Sequence, residues 1–151
     1  MVWTTRRLIA VLSVPFALVL ATVVVATYMV PRVTLQADQP TYRVGDPVRF
    51  FVHNGLEDPA FLACAAPWHI SREVDGAWRP VEAHLCLAVI VPVAPGETRN
   101  WTWVSQTTTD RPDLAPVEPG RYRIEMSVMT QCASPGQGCT TVPLTAYFRL
   151  Q

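Results

Sequence analysis

The sequence predicts an all-β domain, an antiparallel β-sandwich of about seven to nine short strands, over residues 32–151, preceded by one N-terminal apolar segment over residues 1–31. Three observations predict it. From Arg121 to Val128 the residues alternate, with Tyr122, Ile124, Met126 and Val128 on one side and Arg121, Arg123, Glu125 and Ser127 on the other. A period of two puts a strand's apolar side chains in a core and its charges in water. The chain also carries 14 Pro and 7 Gly, and the Pro residues punctuate the C-terminal part too often for long helices. Finally, Leu8 to Val30 is an uncharged run of roughly 23 residues that reads differently from everything after it.

Arg6 and Arg7 precede that run, and Pro31-Arg32 end it. Its length is about that of a helix crossing a bilayer core. The positive pair ahead of it predicts a cytoplasmic N-terminus and an exported C-terminal domain. A cleaved signal peptide is the alternative; Val24-Val25-Ala26 would serve as the cleavage site. Signal peptides usually hold only about 7–15 apolar residues, so length favours a retained anchor. The expected location is therefore the cytoplasmic membrane, single-pass, with the domain outside the cytoplasm, or secretion if the segment is cleaved. Twelve basic residues, all Arg, balance twelve acids. Without Arg6, Arg7 and Arg32 the domain is mildly acidic, which excludes the basic stripe that nucleic acid would need.

The elements follow in order. Val33–Ala37 alternates and reads as a first strand. Thr41–Val44, set between Gln39-Pro40 and Gly45-Asp46-Pro47, should continue it or run along a sheet edge. Pro47–Asn54 places Val48, Phe50 and Val52 on one face, and Asn54-Gly55 closes it with a turn. Pro59–Cys64 and His69–Val74 come next. Asp75-Gly76 is a two-residue hairpin signal leading to Ala77–Val81. Pro95-Gly96-Glu97 turns into Thr98–Val104. A Pro-rich connection from Asp110 to Pro119 precedes the Tyr122 strand, and Thr140–Leu150 is last, with Pro143 confining its early part to an edge or bulge.

These residues carry a resemblance. Tyr42-x-x-Gly45-Asp46-Pro47-Val48-x-Phe50-x-Val52-x-Asn54, Asp75-Gly76-x-Trp78, Pro95-Gly96-Glu97-Thr98, Trp101-Thr102-Trp103 and Pro119-Gly120-x-Tyr122-x-Ile124 together resemble a bacterial immunoglobulin-like domain. The layout is also similar to the intracellular proteinase inhibitor family of bacilli. The resemblance spans about Val33 to Leu150 and implies an immunoglobulin-like antiparallel sandwich, with Trp101 and Trp103 in its core. It rests on turns and core positions, which specify fold better than function. Tyr122, just after a Pro-Gly corner, matches the tyrosine-corner device of such sandwiches.

Four Cys in an exported domain read as two disulfides, since that compartment is oxidising. Three pairings are possible. Cys132 and Cys139 bracket Ala-Ser-Pro-Gly-Gln-Gly, a hairpin tip, so a local bridge is simplest and Cys64 then joins Cys86. A metal site from Cys64, His69, His84 and Cys86 is the rival, but the paired spacings of structural zinc sites are missing. A copper reading of Met126 and Met129 with His53 fails on parity, because the two Met fall on opposite faces of a strand. No Gly-x-Ser-x-Gly elbow is present. The carboxylates Asp46, Glu57, Asp58, Asp75, Glu97, Asp110, Asp113 and Glu118 sit in turns, where they serve backbone amides or face water. Asn100-Trp101-Thr102 matches the N-glycosylation pattern, but inside a strand it is read as chance. No cofactor is expected. Trp68 and Trp78 could form an aromatic surface beside the Cys64–Cys86 clip, though packing over the disulfide is the commoner fate. The expected role is a non-catalytic interaction or structural module of the cell envelope with a protein partner. The binding surface would comprise Ser134 and Gln137 at the clipped tip, and Trp68 and Trp78. The alternative is a protease inhibitor presenting the clipped loop.

Overall fold

The computed structural model of the chain describes residues 32–83, 86, 89–106 and 114–151. The Leu8–Val30 run with its candidate cleavage site, His84, Asp110 and Asp113 lie outside the described residues. Among the described residues there are ten strands and no helix. No helix there is long and apolar enough to cross a membrane.

One sheet has the order β1 (Val33–Ala37), β3 (Pro47–Asn54), β8 (Thr98–Val104), all antiparallel. The other runs β2 (Thr41–Tyr42), β10 (Thr140–Leu150), β9 (Gly120–Thr130), β4 (Ala60–Leu62), β7 (Val91–Val93). Beside β4, strand β5 (Trp68–Val74) also pairs with β9 and carries β6 (Ala77–Ala83) at its far side. Every pairing is antiparallel except β2 with β10.

Alternation decides which faces meet. In β3, Val48, Phe50 and Val52 are fully buried, and in β9 so are Tyr122, Ile124, Met126 and Val128. These two rows, with Ile70, Trp103 and Phe148, belong to one core fed by both sheets. Rings bridge the sheets: Phe50 meets Trp68 edge-on at 5.1 Å, and Trp103 lies 6.1 Å from Tyr122. Burying side chains of this size contributes about 1.5–3 kcal/mol each. Trp103 is buried as expected; Trp101 is half-buried, stacked on Phe50 and donating its indole N–H to the Ala65 carbonyl at 2.8 Å.

Two tyrosines latch the ends of strands. The Tyr122 hydroxyl donates to the Glu118 carbonyl at 2.5 Å and accepts the Glu118 N–H at 3.0 Å, the corner expected from Pro119-Gly120. The Tyr42 hydroxyl donates to the Asp38 carboxylate and accepts the Gln39 N–H at 3.0 Å. Asp75 and Gly76 both take positive φ, 50° and 75°, which suits a two-residue hairpin between β5 and β6.

Thr41–Tyr42 takes the second course expected of it, the edge of a sheet, while one further strand was not foreseen. Thr41–Tyr42 leaves the sheet of β1 and pairs in parallel with the end of β10, where Arg149 and Gln151 donate to the Pro40 and Tyr42 carbonyls, both at 3.0 Å. The short strand β7 was not read from the sequence, because Pro92 at its centre hides it. Of the two positions expected for Pro143, an edge or a bulge, it takes the edge: β10 stays in register with β9 throughout, Pro143 opposite Ser127, and its other neighbour β2 pairs only at Arg149 and Leu150.

Candidate functional site

The β9–β10 hairpin ends in residues 131–139, closed by the Cys132–Cys139 disulfide. Within it Ser134 and Gln137 form an isolated bridge, with Gln137 N–H donating to the Ser134 carbonyl at 2.9 Å. Ala133 N–H donates to the Gln137 carbonyl at 3.0 Å. Pro135 and Gly136 occupy the turn between them, and Gly136 takes φ 74°. Proline followed by a residue of positive φ is the type II pattern, which favours glycine in second place. A Cβ at Gly136 would also meet the Ile90 side chain at 3.0 Å, so the tip lies against the segment leading into β7. The loop is thus fixed by a disulfide, a short bridge and a turn. It presents Ser134 and Gln137 to solvent, both exposed.

Beside the tip is a cleft of about 340 Å³ lined by Asp58, Pro59, Phe61, Gln131, Cys132 and Ser134, among others. It brings together the β3–β4 connection and the hairpin tip, which are distant in sequence. Asn54 builds the first of these. Fully buried, its side-chain amide donates to the carbonyls of Val93 at 2.9 Å and Asp58 at 3.0 Å, while its carbonyl oxygen accepts the Leu56 N–H at 3.0 Å. Read from sequence as a turn residue, Asn54 is a buried pin that holds Asp58 at the rim. Its parity was the signal: it continues the buried row of Val48, Phe50 and Val52. The Asp58 carboxylate makes no ion pair among the described residues. The cleft thus gathers residues bearing a carboxylate, an amide, a hydroxyl and an aromatic ring.

The second disulfide joins Cys64 to Cys86, so both sulfurs are bonded and neither is free to ligate a metal with His69. His69 instead faces Glu125 at 3.3 Å. His53 hydrogen-bonds Thr98 through Nδ1 at 3.0 Å, across the β3–β8 pair, and Met126 is in the core.

The Trp68–Trp78 surface does not form. Trp68 is only 6 % exposed and packs on Phe50, whereas Trp78 lies on the outer face of the larger sheet. There Trp78 sits 6.0 Å from the exposed Tyr147 ring. The Arg123 guanidinium stands 4.5 Å from the Trp78 ring centroid, and Arg121 lies 5.8 Å from that of Tyr147. Arg121 also pairs with Glu73 at 3.1 Å, and Arg123 with Glu125 at 2.8 Å. Cation–π contacts of this kind tie β6, β9 and β10 together on the solvent side.

No family model and no curated protein matches the chain. Among solved structures it is similar to an alkylpurine DNA glycosylase of Pseudomonas fluorescens bound to DNA containing an abasic-site analogue, at 14% identity and TM-score 0.41, covering 81% of this chain and 31% of that one. A β-glucosidase from Erythrobacter marinus gives 18% identity and TM-score 0.37, covering 77% of this chain and 15% of that one. A β-glucosidase from Listeria innocua in complex with gluconolactone gives 13% and 0.33, covering 77% and 16%. The chain spans less than a third of each of these proteins, and likenesses this low carry no inference for it.

Proposed function

We propose that this chain is a non-catalytic binding module of the cell envelope: an immunoglobulin-like β-sandwich held outside the cytoplasm by its N-terminal segment, capturing a protein partner through the Cys132–Cys139 tip. The rigid, solvent-facing tip beside the Asp58 cleft carries this reading. Loops positioned by a packed scaffold supply adaptable surface, and a loop fixed beforehand loses less entropy on docking. The sandwich assignment is supported by the tyrosine corner at Tyr122 and by the division of residues 33–42 between two sheets that share one core. Two disulfides support an oxidising compartment. A clipped convex loop is also what a protease inhibitor presents, so inhibition is the second reading of the same surface.

Replacing Ala133–Gly138 by a shorter Gly-Ser linker tests the proposal. The variant should keep its melting temperature within a few degrees and lose capture of the partner in pull-downs from envelope fractions. Undiminished capture would sink the tip as the binding surface. Stoichiometric inhibition in titrations against a panel of serine proteases would favour the second reading.

A further inference from the structure

The open edge of β10 offers a second surface, independent of the tip. Residues whose N–H and C=O point away from β9 are identified by the end of the strand, where Arg149 and Gln151 donate outward to Pro40 and Tyr42. Backbone direction alternates along a strand, so Tyr147, Thr145 and Pro143 also point outward. In the parallel register Arg149 lies opposite Thr41. The next acceptor along, the Tyr147 carbonyl, would need an N–H from Pro40, which has none. The β2 ladder therefore stops there. Upstream, Asp38 N–H already donates to the Arg49 carbonyl, so the chain has turned to the other sheet. Among the described residues the N–H and C=O of Thr145 and Tyr147 have no ladder partner.

Next to these groups lies a groove of about 330 Å³ between β1 and β10, lined by Leu35, Gln36, Ala37, Gln39, Pro40, Ala146 and Tyr147. On the outer side, Arg149 stands directly opposite Arg121 in register. Like charges facing across a strand pair are destabilising. Arg121 has Glu73, while Arg149 makes no ion pair among the described residues.

We propose that the Thr145–Tyr147 edge of β10 binds a short extended segment of a partner polypeptide, added as a strand, with an apolar side chain in the Leu35–Ala146 groove and an acidic one beside Arg149 and Arg121. The backbone of the segment supplies four hydrogen bonds, and the alternation of its side chains supplies specificity. Pro40 ends the native ladder on one side. Pro143, lacking an outward N–H, limits the site on the other, so the added strand is short.

The test uses the full chain in detergent and a blocked peptide of alternating Val and Glu. Hydrogen exchange at the Thr145 and Tyr147 amides should be fast in the free protein and at least tenfold slower with saturating peptide. N-methylation of the peptide amides facing the edge should abolish binding, and Lys in place of Glu should weaken it at least tenfold. Thr145→Pro, which removes an outward N–H and no ladder bond to β9, should fold and fail to bind. Replacing the 133–138 tip should leave peptide binding unchanged, which separates this surface from the first. Protection of both amides in the free protein, equal binding of the N-methylated peptide, or no binding by the unmodified one would each overturn the proposal.

Discussion

At the scale of single residues, the two tyrosine latches set the domain's behaviour in alkali. Burial, and then the hydrogen bond to Asp38, push the Tyr42 phenol up to about 12. Burial raises Tyr122 as well. An unfolded tyrosine ionises near pH 10. Since the folded form holds the proton more tightly, the latches stabilise fully below pH 10, and that contribution falls as pH rises through about 12. The chain has no Lys and the described Cys are bonded, so tyrosines dominate titration in this window. The melting temperature should decline steeply between about pH 10 and 12, and the Tyr42→Phe/Tyr122→Phe double variant should flatten that decline. At neutral pH, Tyr122→Phe should cost about 1–3 kcal/mol, from two hydrogen bonds at about 0.5–1.5 each. A neutral melting curve unchanged by Tyr122→Phe would show that the corner bonds contribute nothing.

At the scale of elements, the two disulfides are unequal. The loop closed by Cys64–Cys86 spans 22 positions and that closed by Cys132–Cys139 spans 7. Chain entropy alone gives about 3.4 kcal/mol for the first and about 2.4 for the second. Denaturant titration of Cys64→Ser/Cys86→Ser and Cys132→Ser/Cys139→Ser should therefore rank the first pair as the more destabilised; the reverse order would mean that the tip does more than close a loop. Both bridges were legible because the tip's Pro-Gly sequence made local closure the simplest pairing. Strands β3 and β9 were legible for a different reason: their apolar residues keep strict parity. Parity would also have placed Trp68 in the core with Ile70, two positions on. Strand β2 could not be assigned to its sheet, since two residues show no period; the Tyr42–Asp38 latch and the proline before it set its course. The Asp58 cleft was invisible because Phe61 and Ser134 meet only through tertiary structure.

At the scale of the whole molecule, the proposed anchor predicts that the intact protein behaves as a membrane protein. It should stay with the pellet through carbonate and high-salt washes, and a soluble product beginning near Thr27 would instead establish cleavage. The arrangement of residues 33–42 has a consequence of another kind. The chain enters the domain at β1, hydrogen-bonded to β3, then crosses to lie parallel to the last residues of β10. A pull between the two ends of the domain therefore runs along both ladders, and their hydrogen bonds bear load together instead of opening one at a time. Forced unfolding is governed by the unfolding rate, not by equilibrium stability. A domain built this way should resist tension applied between its first and last strands, and the proposed tethered role would draw on that resistance.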